Sequence, residues 1–182
     1  MKKTIAILGS TGSIGKTTLN IIRKDINKFE IILLTTNSNL KELSKQIKLF
    51  KPKNVLINNK QKYIEFLNKY KNKKINILND IKDLKKRIKK KIDYTMCAIS
   101  GLEGLSPTLK LIPLSKKIAI ANKESIICGW SLIQKNLKKF NTIFLPIDSE
   151  HFSIWSLMKS ENIKSVDKIF ITASGGPFLK TP

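Results

Sequence analysis

Three stretches of this chain carry residue types whose spacing can do chemistry. The first is Gly9-Ser10-Thr11-Gly12-Ser13-Ile14-Gly15, glycines at intervals of three between an apolar run and a helical pattern. In that context glycines permit a tight turn, close backbone approach to a phosphate, and close helix–strand packing. The free N–H groups of the following helix then face the anion. Thr11 and Ser13 add hydroxyl donors. A plain strand-to-helix turn is the simpler reading. A nucleoside-triphosphate loop needs Gly-x-x-x-x-Gly-Lys-Thr. Gly15-Lys16-Thr17 supplies its end, but residue 10 is serine where the first glycine belongs. A dinucleotide loop needs no such adjustment. It places an acidic residue about 20 positions on when the ribose 2′-hydroxyl of NAD is bound. Thr35, Thr36, Asn37, Ser38 and Asn39 stand there instead, with no carboxylate. That favours NADP, and Lys41 would help neutralise its 2′-phosphate.

The second stretch is Asp148-Ser149-Glu150, just past a strand pattern. In extended backbone, residues i and i+2 point the same way, so Asp148 and Glu150 can converge on one cation. Two carboxylates with few other ligands suit Mg²⁺ or Mn²⁺. An acidic helix N-cap is the alternative. His151, the single histidine, adjoins the pair as a ligand, a proton donor or a packing residue. The third stretch is Asn122-Lys123-Glu124, after another strand end, where Lys123 can meet a substrate anion or remain a solvated lysine. Further on, Ser174-Gly175-Gly176 can form an anion-binding nest or an ordinary turn. Cys97 and Cys128 have no nearby histidine and read as packing residues.

The elements that must position these residues follow from a period that switches between strand and helix. Strands are expected at Thr4–Leu8, Glu30–Thr36, Asn54–Asn58, Ile75–Leu78, Asp93–Ser100, Lys117–Ala121 and Asn141–Ile147. Helices are expected at Ser13–Lys24, Asn39–Phe50, Gln61–Tyr70, from Asp80 to Lys91, at Ser106–Leu114 and at Glu124–Phe140. Strands that are apolar throughout and alternate with helices imply an α/β fold with a doubly wound parallel sheet. After Asp148 the texture changes. A helix at Phe152–Met158 and a strand at Lys168–Ala173 lead into the glycine turn. The expected division is one domain over 1–141 and the beginning of a second over 142–182, so the chain reads as a fragment.

Composition bounds the partners. The 182 residues carry a formal charge of +22, with 33 Lys but only 2 Arg. Lys, Ile and Asn dominate, as an AT-rich coding sequence would produce, so the charge reads as drift. The segment Lys60–Lys91 is the most basic and supports a nucleic-acid-binding module as a competing class. The shortage of arginine and the lack of an aromatic-rich basic stripe weigh against it. Few cysteines and no long apolar run point to a cytoplasmic protein without a membrane span.

Taken together, GSTGSIG, the ANKES stretch at Ala121–Ser125, PIDSEH at Pro146–His151 and SGGPF at Ser174–Phe178 resemble the 1-deoxy-D-xylulose 5-phosphate reductoisomerase family. SGLEGLSPTL at Ser100–Leu109 is similar to the family's turn after a central strand. The resemblance implies a Rossmann-like NADP-binding domain followed by the start of an α+β catalytic domain. It implies NADPH and a divalent metal as cofactors, and a sugar phosphate that is rearranged and reduced for isoprenoid precursors. Thr11, Gly12, Ser13 and Ile14 would cradle the NADPH pyrophosphate, with Asn39, Asn122 and Glu124 completing the cofactor site. Lys123 would bind substrate and act with Glu150 in catalysis. Asp148 and Glu150 would hold the metal, and Ser149, Glu150 and Ser174 would touch substrate. The family is a homodimer at full length, and its chain is about twice as long. The chain as given is therefore expected to lack downstream catalytic residues and to be inactive alone. Where the family often has a glycine and a basic residue before Asn39, this sequence has Asn37 and Ser38. Another NADP-dependent oxidoreductase is the remaining alternative, disfavoured by the carboxylate pair, since hydride transfer alone needs no metal.

Overall fold

From Ile5 to Leu8 the first strand has nothing suited to water: Ile5, Ala6, Ile7 and Leu8 are all buried. An apolar run without alternation belongs to a parallel sheet covered on both faces. The computed structural model describes residues 1–70, 74–147, 149–159 and 161–171, the side chains of 149 and 150 excepted. Strands β1 (Lys3–Leu8), β2 (Phe29–Thr36), β3 (Asn54–Ile57), β4 (Asn76–Leu78), β5 (Ile92–Cys97), β6 (Ser115–Ile120) and β7 (Ile143–Leu145) form one sheet. All neighbours are parallel, in the order β4-β3-β2-β1-β5-β6-β7. Helices α1 (Ser13–Lys24), α2 (Leu40–Phe50), α3 (Lys60–Lys69), α4 (Lys82–Arg87), α5 (Leu105–Leu111) and α6 (Lys123–Phe140) connect the strands, and α7 (Ser149–Met158) follows β7. This is the doubly wound α/β arrangement expected from the sequence.

The sheet carries a separate apolar layer on each face. Leu19, Ile22, Leu43, Ile47 and Phe66 from α1, α2 and α3 pack on Ile5, Ile7, Ile31, Val55 and Ile57. Leu84, Leu111, Ile133 and Leu137 from α4, α5 and α6 pack on Ala6, Leu8, Leu56, Ile118 and Ile120. A register shift pairs Ile5 with Ile31 and Ala6 with Leu33, so the adjacent Ile32 and Leu33 join the same layer. The chain winds outward from β1 to β4, then returns to place β5 on the other side of β1. That reversal opens a crevice beyond the carboxyl ends of β1 and β5, where open sheets bind ligands.

Several elements differ from the sequence expectation. α4 stops at Arg87 rather than running to Lys91, and Ile88 turns extended to pack against the core. Continuing the helix would stack Lys85 on Lys89, Lys86 on Lys90 and Arg87 on Lys91, like charges one turn apart. The helix expected to reach Leu114 becomes a 3₁₀ turn at Ile112–Leu114, because Pro113 has no N–H to donate. The strand expected at Lys168–Ala173 is absent over the described residues 168–171. No neighbouring strand offers a ladder there among the described residues, and an unpaired strand leaves its backbone groups unsatisfied. The chain divides into two compact units, Met1–Leu145 and Pro146–Pro182. β7 pairs with β6, so residues 143–145 stay with the sheet, past the expected border between 141 and 142.

Candidate functional site

β1 ends at Leu8, and the chain must leave the sheet at once to enter α1. Gly9 makes that exit with φ 75, a left-handed conformation, and a Cβ there would lie 2.6 Å from the Ala98 carbonyl oxygen. Gly15 lets the first turn of α1 press onto the loop: a Cβ at that position would lie 2.3 Å from the Gly9 carbonyl oxygen. Gly12 is different. Its φ of −79 suits any residue, and the nearest atom to an added Cβ is 3.4 Å away. Packing within the protein therefore does not demand a glycine at Gly12, which leaves open space on the outer side of the loop. The spacing pattern thus holds two structural glycines and one that makes room.

The loop is pinned from beneath by the end of β2. Gly9 N–H donates to Thr35 Oγ1 at 2.8 Å, and Ser10 N–H to the Thr35 carbonyl at 2.9 Å. The buried Ser10 hydroxyl donates to Gln46 Oε1 at 2.7 Å, and Gln46 Nε2 donates back to the Ser10 carbonyl at 2.8 Å. Thr11 and Thr36 share a hydroxyl–hydroxyl bond of 2.8 Å. Each buried polar group thus finds a partner and fixes the loop's shape. In the sequence Thr35 and Thr36 stand out only as positions without a carboxylate, and Gln46 does not stand out. The signal available was a polar residue at 46 between the apolar Leu43 and Ile47 of a helical pattern.

The helix starts around this crevice are not alike. Asn39, Asn59 and Asn122 cap α2, α3 and α6 by accepting from Glu42, Lys62 and Ser125 backbone N–H groups. α1 has no side-chain cap and no acidic residue in its first turn. Its N–H groups are left for solvent or an anion, and Gly12, Ser13 and Ile14 above them are exposed. That open helix start and the space beside Gly12 fit a dinucleotide's pyrophosphate.

Asn39 is exposed and spends its side-chain oxygen on its own helix. Asn122 is buried and does more. Its Nδ2 donates to the Ile99 carbonyl at 2.5 Å and also to the Gly101 carbonyl, tying the turn after β5 to the start of α6. Gly104 closes the same contact, since a Cβ there would lie 2.6 Å from that amide nitrogen. Both amide hydrogens of Asn122 are thereby used. Lys123 and Glu124 are exposed in the first turn of α6.

A cleft of about 680 Å³ follows the carboxyl ends of the strands. Gly9, Thr11 and Gly12 line it, with Thr36 and Asn37 after β2, Asn58 after β3, Asn79 and Asp80 after β4, and Ala98 to Ser100 after β5. The structure therefore joins Thr11 and Gly12 to the end of β2. Asp148 and Ser174 lie outside the described residues, as do the side chains of Ser149 and Glu150, whose backbone opens α7. Among the described residues, no group of three or more His, Cys, Asp or Glu is placed to hold a metal. His151 is exposed. Burial pushes the Cys97 thiol up to about 12, so it stays protonated and packs. No described helix is long and apolar enough to cross a membrane.

Comparison with known proteins bears on this site. Residues 5–129 match the family described as 1-deoxy-D-xylulose 5-phosphate reductoisomerase, and residues 144–182 match the C-terminal domain of that name. The chain is 54% identical over 178 residues to the 1-deoxy-D-xylulose 5-phosphate reductoisomerase of Pelagibacter ubique, covering 97% of this chain and 46% of the relative. Its fold superposes on the Zymomonas mobilis reductoisomerase solved with NADPH at a TM-score of 0.88 and 34% identity, covering 100% of this chain and 48% of that one. A reductoisomerase solved with NADPH, fosmidomycin and magnesium gives 0.76 and 35%, covering 85% of this chain and 38% of the other. The chain spans just under half the length of the curated relative it matches.

Proposed function

The chain belongs to the 1-deoxy-D-xylulose 5-phosphate reductoisomerase family, and on that premise we propose that its first unit is the NADPH-binding part of an enzyme that rearranges and reduces 1-deoxy-D-xylulose 5-phosphate to 2-C-methyl-D-erythritol 4-phosphate. The observation that carries this reading is the start of α1, left without a side-chain cap beside the open Gly12 at the carboxyl end of β1. When bound, NADPH supplies a hydride, and a divalent metal, Mg²⁺ or Mn²⁺, supplies a Lewis acid.

This chain's residues bind and orient. Thr11, Gly12, Ser13 and Ile14 hold the pyrophosphate through backbone N–H groups and hydroxyls, on a loop that Thr35 and Gln46 keep rigid. Asn122 fixes the turn after β5, and Asn39 and Glu124 border the cofactor. Lys123 offers its ammonium to the anionic substrate. Asp148 and Glu150 supply the carboxylates for the metal, and Ser149, Glu150 and Ser174 contact the sugar phosphate. The magnesium and NADPH present in solved relatives support this assignment. In the same reading the full-length protein is a cytoplasmic homodimer that acts on a small molecule and not on nucleic acid.

Two measurements test it. Fluorescence titration of the 182-residue chain with NADPH is expected to saturate and to be competed by inorganic pyrophosphate. No saturation up to millimolar NADPH would overturn the reading. In the full-length protein, Asp148→Asn is expected to remove turnover with NADPH affinity retained, and loss of that affinity instead would contradict the metal assignment.

A further inference from the structure

The hydroxyl–hydroxyl bond beneath the glycine loop has a direction. Thr36 ends β2, is 4% exposed, and lines the cleft together with Thr11. Its Oγ1 accepts from the Asn39 N–H at 3.3 Å and lies 2.8 Å from Thr11 Oγ1. A backbone N–H can only donate, so the first of these bonds runs one way. A threonine hydroxyl carries one hydrogen and two acceptor positions. Among the described residues, Thr11 Oγ1 is the one acceptor within reach of the Thr36 hydroxyl. Were Thr11 the donor instead, the Thr36 hydrogen would be buried with nothing to receive it, which costs more than a made bond contributes. Donation therefore runs from the Asn39 N–H to Thr36, and from Thr36 to Thr11.

Thr11 then has its own hydrogen left over. Among the described residues no acceptor takes it, and Thr11 stands half-buried in the lining of the cleft. A hydroxyl that already accepts a bond donates more strongly through its own hydrogen. An anionic oxygen is the best partner for such a donor, since bonds to charged acceptors are about twice as strong as neutral ones. We infer that Thr36 is a positioning residue for the coenzyme: by donating to Thr11 it frees the Thr11 hydroxyl hydrogen for an oxygen of the pyrophosphate. The start of α2 is thereby coupled to the loop before α1 through two side chains 25 residues apart. This inference rests on the dinucleotide reading above.

Fluorescence titration of the 182-residue chain with NADPH, with inorganic pyrophosphate as competitor, tests it. Thr36→Val removes the hydroxyl and keeps the branched shape. It is expected to weaken NADPH about threefold to tenfold, and pyrophosphate by the same factor. Thr36→Ser keeps the donor and is expected to stay within about twofold of the unchanged chain. A double-mutant cycle separates this role from one confined to holding the start of α2. Once Thr11→Val has removed the hydroxyl that Thr36 orients, adding Thr36→Val is expected to change NADPH affinity by less than about twofold. Thr36→Ala replaces Thr36→Val should that variant not fold. Unweakened NADPH binding in Thr36→Val, no rescue by serine, an equal loss in both backgrounds, or a loss for NADPH that pyrophosphate does not share would each overturn the inference alone. Failure of the unchanged chain to bind NADPH overturns the dinucleotide reading and this inference with it.

Discussion

The two banks of the cleft are built in different ways. The bank after β1 is a continuous loop of seven residues, shaped by two glycines that nothing else could replace and braced by Thr35 and Gln46. The bank after β2, β3 and β4 is assembled from Asn37, Asn58, Asn79 and Asp80, which meet only because three strands lie side by side. The first bank is a local motif that a single substitution can destroy. The second is a product of topology, and its residues come from three separate strand ends. Neither bank uses the lysines of the basic segment that dominates the charge: Lys60, Lys69, Lys82, Lys85 and Lys86 stand exposed on α3 and α4.

Substitutions should separate the banks in order of effect. Gly15→Val is expected to cost about 3 kcal/mol or more, because the clash falls on backbone that cannot swing away. Chemical denaturation would show it as a midpoint shift, and a shift below about 1 kcal/mol would break the claim that this glycine is structural. Gln46→Leu is expected to cost about 1–3 kcal/mol, since it takes the amide donor from the buried Ser10 carbonyl and leaves the Ser10 hydroxyl only the Thr35 carbonyl. It should also weaken NADPH binding, which a merely structural role elsewhere in the sheet would not do.

Asp93 serves as the contrast, at the amino ends of the strands away from both banks. Its carboxylate accepts from Lys116 Nζ at 2.8 Å and from Thr4 N–H at 2.9 Å, and these hold its pKa well below the usual carboxylate range. Asp93→Ala is expected to cost about 2 kcal/mol without changing NADPH affinity. A depressed pKa stabilises the fold fully above the unfolded value near 4 and ceases to do so as pH falls through the folded one. The gap between the unchanged chain and Asp93→Ala should therefore narrow progressively below about pH 4. Smallest of all, Lys85→Gln with Lys86→Gln should change stability by no more than about 0.5 kcal/mol, because both side chains are exposed and tie no buried group.

What the sequence made legible follows the same division. β1, its glycine loop and α1 could be read residue by residue, because one apolar run, one turn and one helix each leave a local pattern. The parallel sheet followed from strands such as Ile31–Leu34, apolar at every position. Asp80 was legible only as a helix cap, since nothing near it in the chain says that β4 will lie two strands from β2. Gln46 was hidden because its partner, Ser10, is 36 residues away. Asn122 illustrates a third case: its place at a strand end was readable, but its two bonds to the turn at 99–101 depend on how β5 and β6 align. α4 and α5 end earlier than their apolar patterns imply, because like charges and Pro113 cut them short.

The central claim is that Gly12 leaves room for the cofactor's pyrophosphate and not for the fold. Titration of Gly12→Ala with NADPH, alongside its thermal unfolding, tests this directly. Stability within about 1 kcal/mol of the unchanged chain, with NADPH affinity at least tenfold weaker, is the predicted result. Unchanged affinity in a stable Gly12→Ala protein would contradict it.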